Sequence, residues 1–145
     1  MTSQQWPSLG DQEELVPKRE VVYRQILPKG EWFYNGKPTL KIFDRSSDDN
    51  GELSVCRGVV LTAYGAYVQR ICEAKKPSVG SLEIPVESVE NFGSRVVDNY
   101  SCGNAGYPLG HAYIDYRAAS TRPERRLLSQ NLLDNSKIAF LYNAD

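Results

Sequence analysis

The stretch Val21-Val22-Tyr23-Arg24-Gln25-Ile26-Leu27-Pro28-Lys29-Gly30, continued by Glu31-Trp32-Phe33-Tyr34-Asn35-Gly36, decides the fold class of this chain. Residues 21–27 are rich in β-branched and aromatic side chains and stop at Pro28 and Gly30, which is how a strand closed by turn residues reads. Asn35-Gly36 is the usual dipeptide of a two-residue hairpin, because both residues tolerate positive φ. The ordered part of the chain therefore begins in β structure.

Working outward, Thr39–Phe43 reads as extended, 44–51 as a polar loop and Glu52–Cys56 as a short strand. Thr62 has the chemistry of an N-cap, and Ala63, Ala66, Tyr67, Arg70, Ile71 and Ala74 then fall on one helical stripe that Lys75, Lys76 and Pro77 end. Val79–Ile84 alternates like a strand. Pro85 to Phe92 predicts a short helix, with Pro85 at its first turn and Gly93 after it. Arg95–Tyr100 and His111–Tyr116 read as extended, separated by a glycine-rich loop. Thr121 caps a helix with Leu127, Leu128 and Leu132 facing inward, and Ile138–Tyr142 is apolar enough to predict a central strand. The order predicts an α+β fold. It comprises a mixed sheet of about five to seven strands, two main helices and one short helix, with the helices on one face. Residues 1–19 are polar, carry Pro7, Gly10 and Pro17, and read as an N-terminal arm, in which Trp6 is the one side chain suited to docking; residues 20–145 form the domain.

The chain has 145 residues, 41% hydrophobic and 24% charged, with a formal net charge of -1. That is ordinary globular composition, and no bulk field draws the molecule to nucleic acid or an anionic membrane. Cys56, Cys72 and Cys102 form no C-x-x-C pair, and the single histidine, His111, lies far from them in sequence. Neither a zinc site nor a disulfide framework is implied, so the thiols read as reduced and the expected location is cytoplasmic. The first residues lack a basic segment followed by an apolar core, and no apolar run approaches the ~20 residues of a membrane helix.

Five features could carry function. His111 shares a strand face with Tyr113 and Asp115, but Asp115 is roughly 13 Å away along an extended backbone. A structural histidine is thus the expectation, ahead of a catalytic base. The loop Gly103–Gly110 lacks the Gly-Lys-Ser/Thr of a phosphate cradle and leads into a strand, so it reads as a surface loop. Asp44, Asp48, Asp49 and Glu52 lack calcium-loop spacing. Arg117, Arg122, Arg125 and Arg126 could follow a nucleic-acid backbone, but read better as a solvated face with a protein-contact role. Trp32-Phe33-Tyr34 cannot all face one core in an extended segment, so at least one is expected at the surface or under a partner.

Tyr23-Arg24-Gln25-Ile26-Leu27-Pro28, Asn35-Gly36-Lys37-Pro38-Thr39 leading to Phe43, Leu53-Ser54-Val55 and His111-Ala112 together resemble a family of small bacterial proteins of uncharacterised activity. Its landmarks are Y-R-x-I-x-P, N/D-G-x-P-S/T…F, L-S-V and H-A, and the resemblance covers residues 21–142. It implies a bacterial accessory protein and imports no activity.

No catalytic residue or metal ligand set is expected. The main expectation is a non-catalytic interaction or accessory module of a bacterial multi-protein system, of the defence type by association. It would contact a larger protein partner through Trp32, Tyr34, Arg117, Arg125 and Arg126, without cofactor, nucleic acid or membrane. The alternative is an NAD-using enzyme of ADP-ribosyltransferase type. In it Arg24 binds the cofactor phosphate, Ser54 supports the ribose site, and Glu73 or Glu83 stabilises an oxocarbenium-like transition state. That alternative requires Arg24, Ser54 and one glutamate to meet in a single pocket; an Arg24–Glu83 pair across the sheet would be purely structural.

Overall fold

The computed structural model describes residues 7–10, 13–43, 51–100 and 109–142. Trp6, the acidic residues of 44–50 and the glycine-rich residues 101–108 lie outside them. In chain order the strands are β1 (Glu14–Leu15), β2 (Val21–Ile26), β3 (Phe33–Tyr34), β4 (Lys37–Pro38), β5 (Glu52–Arg57), β6 (Gly80–Pro85), β7 (Val96–Asp98), β8 (His111–Asp115) and β9 (Lys137–Leu141). The helices are α1 (Ala63–Val68), prolonged by a π-helical turn at Gln69–Glu73, α2 (Val86–Asn91) and α3 (Arg122–Asp134).

Seven strands form one sheet in the order β1-β7-β8-β5-β2-β6-β9, and every pairing in it is antiparallel. Strands β3 and β4 make a separate hairpin around Asn35 and Gly36, whose φ angles of 52° and 74° are the left-handed pair that a two-residue turn demands. The α+β class, the strand number and the two main helices with a short third agree with the sequence reading.

Strand alternation builds the core. Val22 and Ile26 of β2, Leu53 and Val55 of β5, Leu82 and Ile84 of β6, Val96 of β7, and Ala112 and Ile114 of β8 all point to one face and are buried. Val86 and Val89 of α2, Leu128 and Leu132 of α3, and Ile42 and Phe43 close over them. Each such large side chain contributes about 1.5–3 kcal/mol when fully buried. Ser129 Oγ donates to the Phe43 carbonyl at 2.8 Å and sits 2.9 Å from the Tyr116 hydroxyl, which docks α3 on that core. The α3 start is a full capping box between Thr121 and Glu124, and Thr62 Oγ1 accepts from Gly65 N at 3.0 Å at the start of α1.

Four expectations need correction. The helices do not share one face: α1 lies on the opposite side, where Ser81 Oγ donates to the Ala63 carbonyl at 2.7 Å and Tyr64 and Tyr67 each meet the Phe140 ring at 5.0 Å. The last strand is not central but an edge, and only its Phe140 is half-buried. Its apolar run is used on α1, one strand width from solvent. Residues 40–42 form a 3-10 turn rather than extended chain, which turns Ile42 and Phe43 into the core. Leu127 is 63% exposed, one position off the buried stripe of α3. Within the stretch expected as an arm, β1 pairs with β7 at the other sheet edge and Val16 is fully buried.

Candidate cleft on the second sheet face

On the face away from the core, the odd-numbered residues of β2 and β8 and the even-numbered residues of β5 stand side by side, because register places Tyr23 opposite Cys56 and Cys56 opposite His111. The helix α1 and its π turn cover only the β6–β9 side of this face. At the other side Tyr113 is buried under Glu13 and Arg117: the Glu13 carboxylate accepts from the Tyr113 hydroxyl at 3.0 Å, and Arg117 lies 5.4 Å over its ring. Between these two covers is a cleft of about 600 Å³. Its lining includes Tyr23, Ser54, Cys56 and His111 from the strands, Gln69, Arg70 and Glu73 from the helical side, and Arg24 and Trp32 at one end.

A hydrogen-bonded chain crosses the cleft floor. His111 Nδ1 lies 2.6 Å from Asn99 Oδ1, and His111 Nε2 lies 3.3 Å from Ser54 Oγ. A carbonyl oxygen carries no proton, so Nδ1 is the N–H donor toward Asn99, and the neutral ring presents its Nε2 lone pair to the Ser54 hydroxyl. Burial pushes the His111 imidazole down to about 4, against the opposing pull of Asp98, so the ring is neutral at physiological pH. Ser54 itself is exposed, whereas Asn99 is buried. The neighbouring Cys56 is a poor nucleophile, since burial raises its thiol to about 11 and keeps it protonated.

Arg24 belongs by alternation to the core face, but its side chain enters the place where β2 and β5 part. There Nη1 donates to the Ser54 carbonyl at 2.9 Å, Nε donates to the Ile42 carbonyl at 3.1 Å, and the guanidinium lies 5.5 Å from the Trp32 ring. Arg70 is different. Among the described residues its one hydrogen bond is a long one to the Pro77 carbonyl, 3.4 Å from Nε, and no carboxylate pairs with it. Desolvation lowers its pKa from the usual arginine value.

The residues singled out from sequence are therefore distributed unequally. Arg24, Ser54 and Glu73 line the one cleft, together with His111. Glu83 does not: it is 3.4 Å from Lys137 Nζ, and register sets Leu82, not Glu83, opposite Arg24, so no Arg24–Glu83 pair forms. Trp32 packs against the core and Arg24, while Tyr34 is 65% exposed on the hairpin. Arg117 is bound to Asp115 at 2.9 Å, Arg125 donates to the Ala119 and Ser120 carbonyls, and Arg126 is exposed on α3. Trp32 and Tyr34 belong to the hairpin region, Arg117 follows β8, and Arg125 and Arg126 share α3; no hydrogen bond or ring contact among the described residues joins these three places. Asn99 and Arg70 carried no functional expectation. Both are brought in by cross-strand register and helix placement, which local pattern does not encode.

Among the described residues no group of three or more metal-binding side chains forms, and no helix is long and apolar enough to cross a membrane. No protein-family model, curated protein or solved structure matches this chain.

Proposed function

We propose that the chain works through this cleft by binding a small anionic molecule. The observation that carries the reading is Arg70, a half-buried cation in the cleft wall with no carboxylate partner among the described residues. A desolvated guanidinium is costly unless an anion meets it, and its fork of donors suits phosphate or carboxylate. The volume falls in the usual range for small-molecule sites. Lys76 lines the same cleft, against the single carboxylate of Glu73. The contact residues expected from sequence lie on the hairpin, after β8 and on α3, whereas the cleft gathers its polar side chains in one place, which favours the cleft as the working site. Free thiols at Cys56 and Cys72 support a reducing compartment, the cytoplasm.

Calorimetric titration with pyrophosphate tests this. Wild-type protein binds, Arg70→Ala binds about 10- to 100-fold more weakly, as expected for one charge-assisted contact, and Arg126→Ala binds as wild type. Equal affinity in Arg70→Ala and wild type overturns the reading.

One second reading has its own observation: Arg24, Ser54 and Glu73 line one cleft, as ADP-ribosyl transfer requires. NAD carries a pyrophosphate and belongs to the proposed ligand class. Release of nicotinamide from NAD, slowed in Glu73→Gln and unchanged in Glu83→Gln, supports it; intact NAD after prolonged incubation removes it.

A further inference from the structure

The geometry points to Ser54 as the nucleophile of an ester-cleaving reaction, with His111 as its base and Asn99 as the residue that positions the imidazole. The substrate class, an ester bearing an anionic group for Arg70, rests on the anion-binding reading above. Three arrangements on the page converge on this. Ser54 is exposed in the cleft, so its hydroxyl can reach a bound carbonyl. The proton acceptor is in place, with His111 Nε2 3.3 Å from Ser54 Oγ. The acceptor is held in the correct tautomer by Asn99 at 2.6 Å, itself buried and so fixed. The Ser54 backbone is pinned as well, through the Arg24 contact to its carbonyl at 2.9 Å. These are the nucleophile, base and orienting group of a hydrolytic triad, drawn from β5, β8 and the residue after β7.

The reaction balances without a cofactor. Ser54 Oγ attacks the ester carbonyl as its proton passes to His111 Nε2, and the carbonyl π pair moves to oxygen. Tyr23 lines the same cleft, and its hydroxyl has no hydrogen-bond partner among the described residues; in the proposed reaction it is the donor to that oxygen. Collapse breaks the carbon–oxygen bond, and the departing alkoxide takes the proton from Nε2, leaving Ser54 acylated. Water then attacks the acyl carbon, His111 accepts its proton and returns one to Ser54 Oγ, and the acid is released. The sum is ester plus water giving acid plus alcohol.

A fluorophosphonate probe on the full chain, read by intact mass and peptide mapping, tests the assignment. The expected result is one adduct on Ser54, lost in Ser54→Ala and in heat-denatured protein, and slowed on the order of 100-fold in His111→Ala. If His111→Ala does not fold, His111→Gln, which keeps the ring's approximate volume, is expected to show the same loss. Asn99→Asp retains an oxygen toward Nδ1 and adds a charge. It should keep labelling while moving the acid limb of the pH profile upward, a change that a purely structural Asn99 would not produce. An absent adduct, an adduct elsewhere, or labelling insensitive to His111 overturns the proposal. Pyrophosphate binding by the Ser54→Ala protein separates the two readings. If it persists while the wild type takes no adduct, the nucleophile alone falls; if it is lost from wild type as well, the anion site falls with it.

Discussion

Arg57 sits between two carboxylates and pairs with both inside the protein. Nη2 is 2.6 Å from Glu20 and Nη1 is 2.7 Å from Asp98, with all three side chains at most 15% exposed. The hydrogen bond to Glu20, ahead of the one to Asp98, raises the guanidinium pKa further. Removing one partner of such a set strands the other charges in low dielectric. Arg57→Ala is therefore expected to lower stability by about 3–5 kcal/mol in urea unfolding, and Arg57→Ala/Glu20→Gln/Asp98→Asn to recover a large part of it. Equal loss in both variants would mean that packing, not charge, is what Arg57 supplies. Nothing local marks these residues in the sequence, since Arg57 is 37 positions from Glu20 and 41 from Asp98. The same distance hid the Ser54–His111 contact, 57 positions apart, although each residue's strand and the parity of each side chain were readable.

Elements whose signals are local were legible: the Thr121–Glu124 capping box, the Asn35-Gly36 hairpin and the short helix after Pro85 all stand where their residues place them. Position within a sheet is not local, and β9 illustrates why. Its apolar composition fits an interior strand, yet it pairs only with β6 and spends its hydrophobicity on the Tyr64, Tyr67 and Tyr142 cluster around α1. Gly80 permits that pairing to close. A Cβ at this residue would stand 2.2 Å from the Phe140 carbonyl oxygen, a backbone atom that cannot turn aside. Gly80→Ala should push β9 from the sheet, at a cost of about 2–3 kcal/mol. The expected signs are a lower Tm and fast amide exchange confined to 137–141. An unchanged Tm refutes the close approach.

Across the molecule, acid acts on two of the described groups, His111 and Asp115, in the same direction. His111 falls from 6.5 in the unfolded chain to about 4 in the fold, first through burial, so the unfolded chain binds more protons between those values. Its contribution is complete above pH 6.5 and is lost as pH falls toward 4, on the order of 3 kcal/mol at most. Asp115 adds to this at lower pH. Burial alone would raise its carboxyl, but hydrogen bonds from Arg117 and Arg95 outweigh that and hold it below 3.8, so its stabilisation fades only as the carboxylate protonates. Urea midpoints should be level above pH 7 and fall from pH 6.5 to 4. Because His111 is the only histidine, that slope should vanish in His111→Gln. A slope retained in the variant would assign the acid response to carboxylates. One feature of the sheet bears on how the body deforms. Strands β2 and β5 share two registered pairs, whereas β2 shares six with β6 and β5 shares five with β8. The shortfall is bridged by the Arg24 side chain. Two stiff plates thus meet along a compliant line directly beneath the cleft. Under mechanical load the protein yields first there, so whatever occupies the cleft acts as a splint across the joint.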